Sequence, residues 1–332
     1  MRQTGWHRLA LGLVVLRLNE WPGYVSMHKA EFEAFAKAKG VEVSIEVVKP
    51  DITDDLVIAE TLRKGGVDVL TPTEAFMHSH DDELIKLLAP VDPAKVPGYE
   101  RVSESLRNSS YHRSGDKHYG IVFMAGYYGL YFNTAHIKDP PKNWDLLWKP
   151  EMKKKYSVSK ETYFVNTYVA SWVMDGKNIE HAYDIMKLNK DKMAKKVREL
   201  AVNAHHLWVG IGNTPEELKT IDYTASWGFE LGPEWQLAFP GPGSSMWVDA
   251  LSITTAAAKD PDKLKAYYLL ASFLVQPESQ EMFRKTLRAL PLTVSGPMDL
   301  PQFDSRFFWR PMDTATSNGL LAMWEAAIKG LP

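Results

Sequence analysis

From residue 14 onward the hydrophobic positions switch between two periods. "VVLRLNEW" (14–21) is a short apolar run that closes at Trp21-Pro22-Gly23, a turn signal. "SMHKAEFEAFAKAKG" (26–40) sets Phe32, Phe35 and Ala36 on one helical face, with Ser26 as the expected cap and Gly40 as the stop. "VEVSIEVV" (41–48) repeats every second residue and predicts a half-buried strand. "DDLVIAETLRKGG" (54–66) predicts a second helix, and "VDVL" (67–70) a short buried strand ending at Thr71-Pro72. Strand–helix–strand–helix–strand with short connections predicts a largely parallel α/β sheet.

The pattern changes at "KHYGIVFMAGYYGLYFNTAHI" (117–137), a long β-rich run broken by Gly126 and Gly129, with no helix between its halves. A helical stretch, "PPKNWDLLWKPEMKKKY" (140–156), and an apolar helix, "VNTYVASWVMDG" (165–176), are expected next. In "NTPEELKT" (213–220) Thr214, Pro215 and Glu217 form a capping-box signature. "YTASWGFE" (223–230) and "WQLAFPGPGSSMWVDALSI" (235–253) make a second β-rich run, broken at Pro240–Gly243. Residues 260–286 predict an amphipathic helix pair with a break at Pro277. Two helixless runs, near residues 120 and 245, suggest a chain that passes between two α/β lobes more than once. A ligand would then sit at the lobe interface, a common place for pockets.

The second run contains one residue that the pattern does not explain. Asp249, in "GSSMWVDALSI" (243–253), is a carboxylate inside an apolar strand. An unpaired charge there is costly, so it is either paired inside the protein or reserved for a positively charged guest. Lys259 is the nearest basic residue downstream.

Composition narrows the function classes. The 332 residues suffice for two lobes; 45% are hydrophobic and 24% charged, as in a soluble globular protein. The formal charge of −2, spread along the chain, argues against a nucleic-acid partner, which calls for a basic patch. Lys153–Lys155 and the basic run 187–198 read as solvated helix faces. There is no cysteine, hence no disulfide, thiolate metal site, cysteine nucleophile or lipid-anchored N-terminal cysteine. No apolar run reaches the roughly 18 residues of a membrane span. Residues 1–13, with Arg2, Arg8 and an apolar stretch from Leu9, look like a partial export leader or residues foreign to the mature chain.

Several stretches resemble the polyamine-binding branch of the extracytoplasmic solute-binding proteins of ABC importers, the spermidine/putrescine-binding type. "LRLNEWPGYVS" is similar to that family's first strand, ending in a tryptophan with a tyrosine three residues on. "KHYGIVFMAGYYGLYFN" resembles its glycine-rich run with a Gly-x-x-x-Asn ending, here Gly129 to Asn133. "NWDLLWKPEMKKKY" is similar to its W-x-x-L-[FW]-x-P-E helix, "MWVDALSI" to its second crossover, and "KAYYLLASFLVQPESQEMF" to its last helix pair. The resemblance runs from about residue 14 to 290.

The resemblance implies a type II periplasmic-binding-protein-like α/β fold: two α/β lobes, a multi-crossover hinge and an interlobe ligand cleft. Lobe 1 would comprise 14–119 plus 249–290, and lobe 2 would comprise 123–246 plus 294–332. It further implies a non-catalytic periplasmic monomer without cofactor or resident metal. Such a protein captures a small cationic amine, such as putrescine or spermidine, and hands it to the membrane permease of an ABC importer. The same fold also serves as a sensor for a membrane receptor.

By motif position the implied site residues are Trp21, Tyr24, Thr73, Trp227, Trp247 and Asp249. In such a site the carboxylate pairs with an ammonium, and aromatic rings enclose the methylene chain. Each also has an ordinary reading. An aspartate pairs with arginine or caps a helix, a tryptophan packs a core, and Thr73 makes a local turn. The family's second acidic residue falls in the stretch equivalent to "SVSKETYF", where Glu161 and Tyr163 are equal candidates. The family's last pocket tyrosine has no counterpart in "RALPLT", which leaves room for a monoamine or quaternary ammonium ligand. A separate motif, "HSHDDE" (78–83), resembles the H-x-H-x-D start of zinc hydrolases, with Glu83 where a third ligand is expected. An exposed helix start is the plainer reading of His78 and His80.

Overall fold

A computed structural model describes residues 12–175, 179–239, 245–292 and 305–331. The leader question and the Pro240–Gly243 break therefore lie outside the described residues.

The first strand, β1 (Val14–Asn19), pairs in parallel with β2 (Val43–Val47) and β3 (Val69–Leu70). Helices α1 (Lys29–Ala38) and α2 (Asp55–Lys64) make the crossovers. In α2 the Asp54 side chain caps the first turn, accepting from the Val57 N–H at 2.9 Å. Helix α1 departs from expectation at its start. Ser26 opens a 3₁₀ turn and does not cap the helix. The N–H groups of Val25 and Ser26 instead donate to the buried carboxylate of Glu20, at 2.6 and 3.1 Å. This acid from the end of β1 holds the Trp21–Tyr24 loop against the sheet.

Helix α3 (Ser79–Leu87) also differs from the sequence expectation. His80, Asp81 and Asp82 have positive φ, and His80 is buried instead of opening an exposed helix. After α4 (Glu104–Arg107) and the hairpin β4 (Arg113–Ser114)–β5 (Lys117–His118) comes β6 (Ile121–Asn133), whose 13 residues are all buried. The stretch 144–152 forms two 3₁₀ turns, not the expected α-helix. Lys149 precedes Pro150 and is extended, with ψ 142°, the conformation proline imposes on its predecessor.

The chain continues through β7 (Tyr156–Ser159), α5 (Tyr163–Asp175), α6 (Lys190–Asn203), β8 (His206–Trp208) and α7 (Pro215–Leu218). The Thr214–Glu217 capping box opens α7. Strands β9 (Tyr223–Ser226), β10 (Trp235–Leu237) and β11 (Ser245–Ile253) follow. Helices α8 (Pro261–Leu274), α9 (Pro277–Leu287) and α10 (Thr314–Ile328) complete the fold, with Pro277 opening α9.

The main sheet runs β2-β1-β3-β11-β6-β9-β7-β8, with β10 also on β6. The ladders β2-β1-β3 and β9-β7-β8 are parallel, but every antiparallel ladder of this sheet involves β6 or β11. The sheet is thus more mixed than the sequence pattern suggests. These two strands run side by side from one α/β lobe into the other.

Between Asp249 and Ala250 the β6–β11 register shifts. The partner steps from Met124 to Val122, leaving Phe123 unmatched. Such a bulge re-aims neighbouring side chains. The carbonyl of Phe123 is satisfied by the buried Gln280 amide at 2.8 Å. Gly126 does not break β6. It faces Trp247, and a Cβ there would overlap the indole ring.

Candidate functional site

Where β1, β3 and β9 end, and beside the middle of β11, the lobes form a cavity of about 130 Å³. At its base lies Asp249, 1% exposed. The bulge turns Asp249 toward Thr73, with which it forms a β-bridge, and Thr73 Oγ1 donates to its carboxylate at 2.7 Å. The Tyr24 hydroxyl, on the Glu20-anchored loop, lies near enough to oppose the ionisation penalty of Asp249.

No lysine, arginine or histidine among the described residues forms an ion pair with Asp249. Burial therefore dominates and pushes its pKa up to about 8, aided by the nearby Glu74 and opposed by the two hydroxyls. At neutral pH this carboxyl keeps its proton until a cation comes near. The Tyr24 phenol is pushed up in turn, by burial and by the adjacent carboxylate.

Aromatic rings form the walls. Tyr24 and Trp247 lie 6.1 Å apart between centroids, and Phe229 meets both edge-on. Trp227 is braced by Tyr128 at 4.9 Å and reaches Trp309 at 5.8 Å. Trp21 leans on Phe76. Exposed Glu161 stands at the mouth, its Oε2 accepting from the Gly210 N–H at 2.8 Å. Among the described residues the lining contains two carboxylates, Asp249 and Glu161, and no basic side chain.

The fold brings seven of the eight motif-derived residues to this cavity: Trp21, Tyr24, Thr73, Glu161, Trp227, Trp247 and Asp249. Tyr163 is the correction. As the first residue of α5 it points into the protein toward Asp55 and Ser317, and Glu161 reaches the mouth instead. His78 and His80 do not gather a metal ligand set. His78 is bonded to Asp82 and to the Arg113 carbonyl, while His80 Nε2 meets Asp55 at 2.6 Å and its Nδ1 meets Thr314 at 2.9 Å. Among the described residues no three His, Cys, Asp or Glu side chains cluster to hold a metal.

Sequence reasoning missed Trp309 and Phe229. Trp309 lies beyond the stretch that carried the resemblance. Its backbone N–H donates to Met246 at 3.0 Å and its indole N–H to Ser245, which fixes it alongside β11. Phe229 follows Gly228, whose φ of +85° turns the chain so that Trp227 and Phe229 both face inward.

The family model described as bacterial extracellular solute-binding protein matches residues 30–297. A search of curated protein sequences finds no match. Among solved structures, the spermidine/putrescine ABC transporter substrate-binding protein PotD of Streptococcus pneumoniae is similar at 17% identity and a TM-score of 0.64, covering 95% of this chain and 99% of that one. The TpPotD lipoprotein of Treponema pallidum is similar at 16% identity and a TM-score of 0.67, covering 94% and 99%. The fructose-6-phosphate-bound protein AfuA of Actinobacillus pleuropneumoniae is similar at 16% and 0.65, covering 96% and 100%. At such identities the likeness is one of fold, the two-lobed type II architecture.

Proposed function

Because the chain belongs to the bacterial extracellular solute-binding proteins, we propose that its cleft captures a small organic cation, a primary amine with an apolar stem, for the permease of an ABC importer. One observation carries this reading: among the described residues the cavity is lined by two carboxylates and six aromatic rings, with no basic side chain. A sugar phosphate would need cationic groups to offset its desolvation, whereas an ammonium finds a counter-charge and π faces. No bond is made or broken in this role; the guest is held and released.

The cavity size sharpens the choice. At about 130 Å³ it is close to the roughly 150 Å³ cavity that holds a six-carbon ring. A putrescine-sized guest fits, with one ammonium at Asp249 and its stem between Trp247 and Trp227. The second ammonium then lies toward Glu161. The longer arm of spermidine would extend through the mouth.

The test is a thermal-shift and calorimetric panel of putrescine, spermidine, a monoamine, a quaternary ammonium and fructose 6-phosphate. At equal concentrations putrescine-sized amines are expected to stabilise the protein most; a ligand present at 100 times its dissociation constant adds about 2.7 kcal/mol. Tighter binding of the sugar phosphate than of any amine would overturn the reading.

A further inference from the structure

Behind Trp309 lies a second, much smaller cavity of about 10 Å³, sharing only Trp309 with the lining of the cleft. That volume is room for one water-sized occupant. Its polar wall consists of Tyr168, Tyr183, Arg310 and Ser245. Tyr168 is 3% exposed. The Tyr168 and Tyr183 hydroxyls and Arg310 Nε are all shielded from solvent and without a hydrogen-bond partner. The two phenol rings lie 5.6 Å apart, and the Arg310 charge acts on both, lowering their pKa values against the upward push of burial.

Arg310 forms no ion pair or hydrogen bond with a described residue. The charge of Glu74, like that of Arg310, is felt by Tyr111. The Glu74 carboxylate is already taken by Ser109 Oγ and His112 Nδ1, each at 2.7 Å. The Ser245 hydroxyl already accepts the Trp309 indole N–H. A half-buried guanidinium and two buried phenols thus converge on one small space. A water would satisfy these donors, whereas an anion of the same size would also neutralise the guanidinium, which cannot shed its proton.

We infer that this cavity is a binding site for a single monatomic anion of the halide class, held by Arg310, Tyr168 and Tyr183. Its volume excludes carboxylates, phosphates and sulfate. The site is separate from the ligand cleft, and its occupant rests against the back of the Trp309 ring. Its role is to neutralise Arg310 and to firm the wall that Trp309 presents to the cleft.

Thermal unfolding of the full chain would be followed while potassium chloride replaces potassium gluconate at constant ionic strength. The expected result is a saturable rise in Tm with chloride, with the half-saturating concentration shifted up by about tenfold or more in Arg310→Gln and in Tyr168→Phe. If Arg310→Gln fails to fold, Tyr168→Phe carries the comparison, because it removes only a hydroxyl. Crystals soaked in bromide are expected to show an anomalous peak within hydrogen-bonding reach of all three groups. Equal Tm in chloride and gluconate, or a bromide-soaked crystal with water in this cavity and no anomalous signal, would overturn the assignment.

Discussion

Asparagine at position 249 would keep the shape of the aspartate and remove its charge. If an ammonium is the partner, Asp249→Asn is expected to cost about 2–5 kcal/mol of binding, roughly thirty- to several-thousand-fold in Kd by calorimetry. The ligand-free variant should behave in the opposite sense. A carboxyl whose pKa is raised to about 8 in the fold favours folding while protonated, and loses that advantage as pH rises from its unfolded value through 8. The stability gap in favour of asparagine should therefore widen from about pH 4 to pH 8, by up to about 1.4 kcal/mol per pH unit. A gap that stays constant in thermal melts across this range would show that Asp249 is not the titrating group. Amine affinity should move with the same group, strengthening as pH climbs toward 8 and then levelling, because below 8 a proton must leave first. Calorimetry in buffers of different ionisation enthalpy would read that proton directly. At this scale the burial of Asp249 was legible in the sequence, since a lone carboxylate in an apolar strand is conspicuous. Glu20 was not readable, because an acid at a strand end looks like any solvated residue until the turn folds over it.

Strands β6 and β11 shape the site as a pair. The bulge at Phe123 aims Asp249, and Gly126 makes space for the Trp247 ring. Gly126→Ala should push the indole toward the cavity, costing about 1–3 kcal/mol through overpacking. Its signature would be a loss of amine affinity together with a lower Tm. An unchanged Kd would mean that Trp247 lines the cavity without touching the guest. The position of the strands could be read from their apolar content, but their direction could not. All 13 residues of β6 are buried, so the strand has no alternation to reveal which neighbour it pairs with or how. The 3₁₀ turns at 144–152 were hidden for another reason: Trp144 and Trp148 are spaced as on a helix, and only Pro150 marks the interruption.

For the molecule as a whole, two lobes joined by paired strands form a hinge. Guest binding between Asp249 of β11 and Trp227 beyond β9 should draw the lobes together, and X-ray scattering should show a smaller radius of gyration at saturation. An identical profile with and without the amine would argue for a rigid cleft. Away from the guest, the C-terminal segment is tied to the N-terminal α/β units, where the His80 N–H donates to the Met312 carbonyl at 3.1 Å and Ser317 donates to Asp55 at 3.3 Å. Those contacts lie in a segment beyond residue 305, past the stretch with recognisable motifs, so neither they nor Trp309 could be anticipated. The α/β class and the double passage between lobes could be, because strand–helix spacing and the two helixless runs are properties of the whole chain.

Below pH 8, a monocation that enters the cleft and ionises Asp249 releases one proton to solution. One positive charge arrives and one departs, so the protein's net charge is the same before and after. Binding of this kind is an electroneutral exchange, and dissolved salt has little net charge change to screen. A surface ion pair would weaken as salt rises; this cleft should hold a monoamine almost as well in brackish surroundings as in dilute ones, and trade that tolerance for a dependence on acidity.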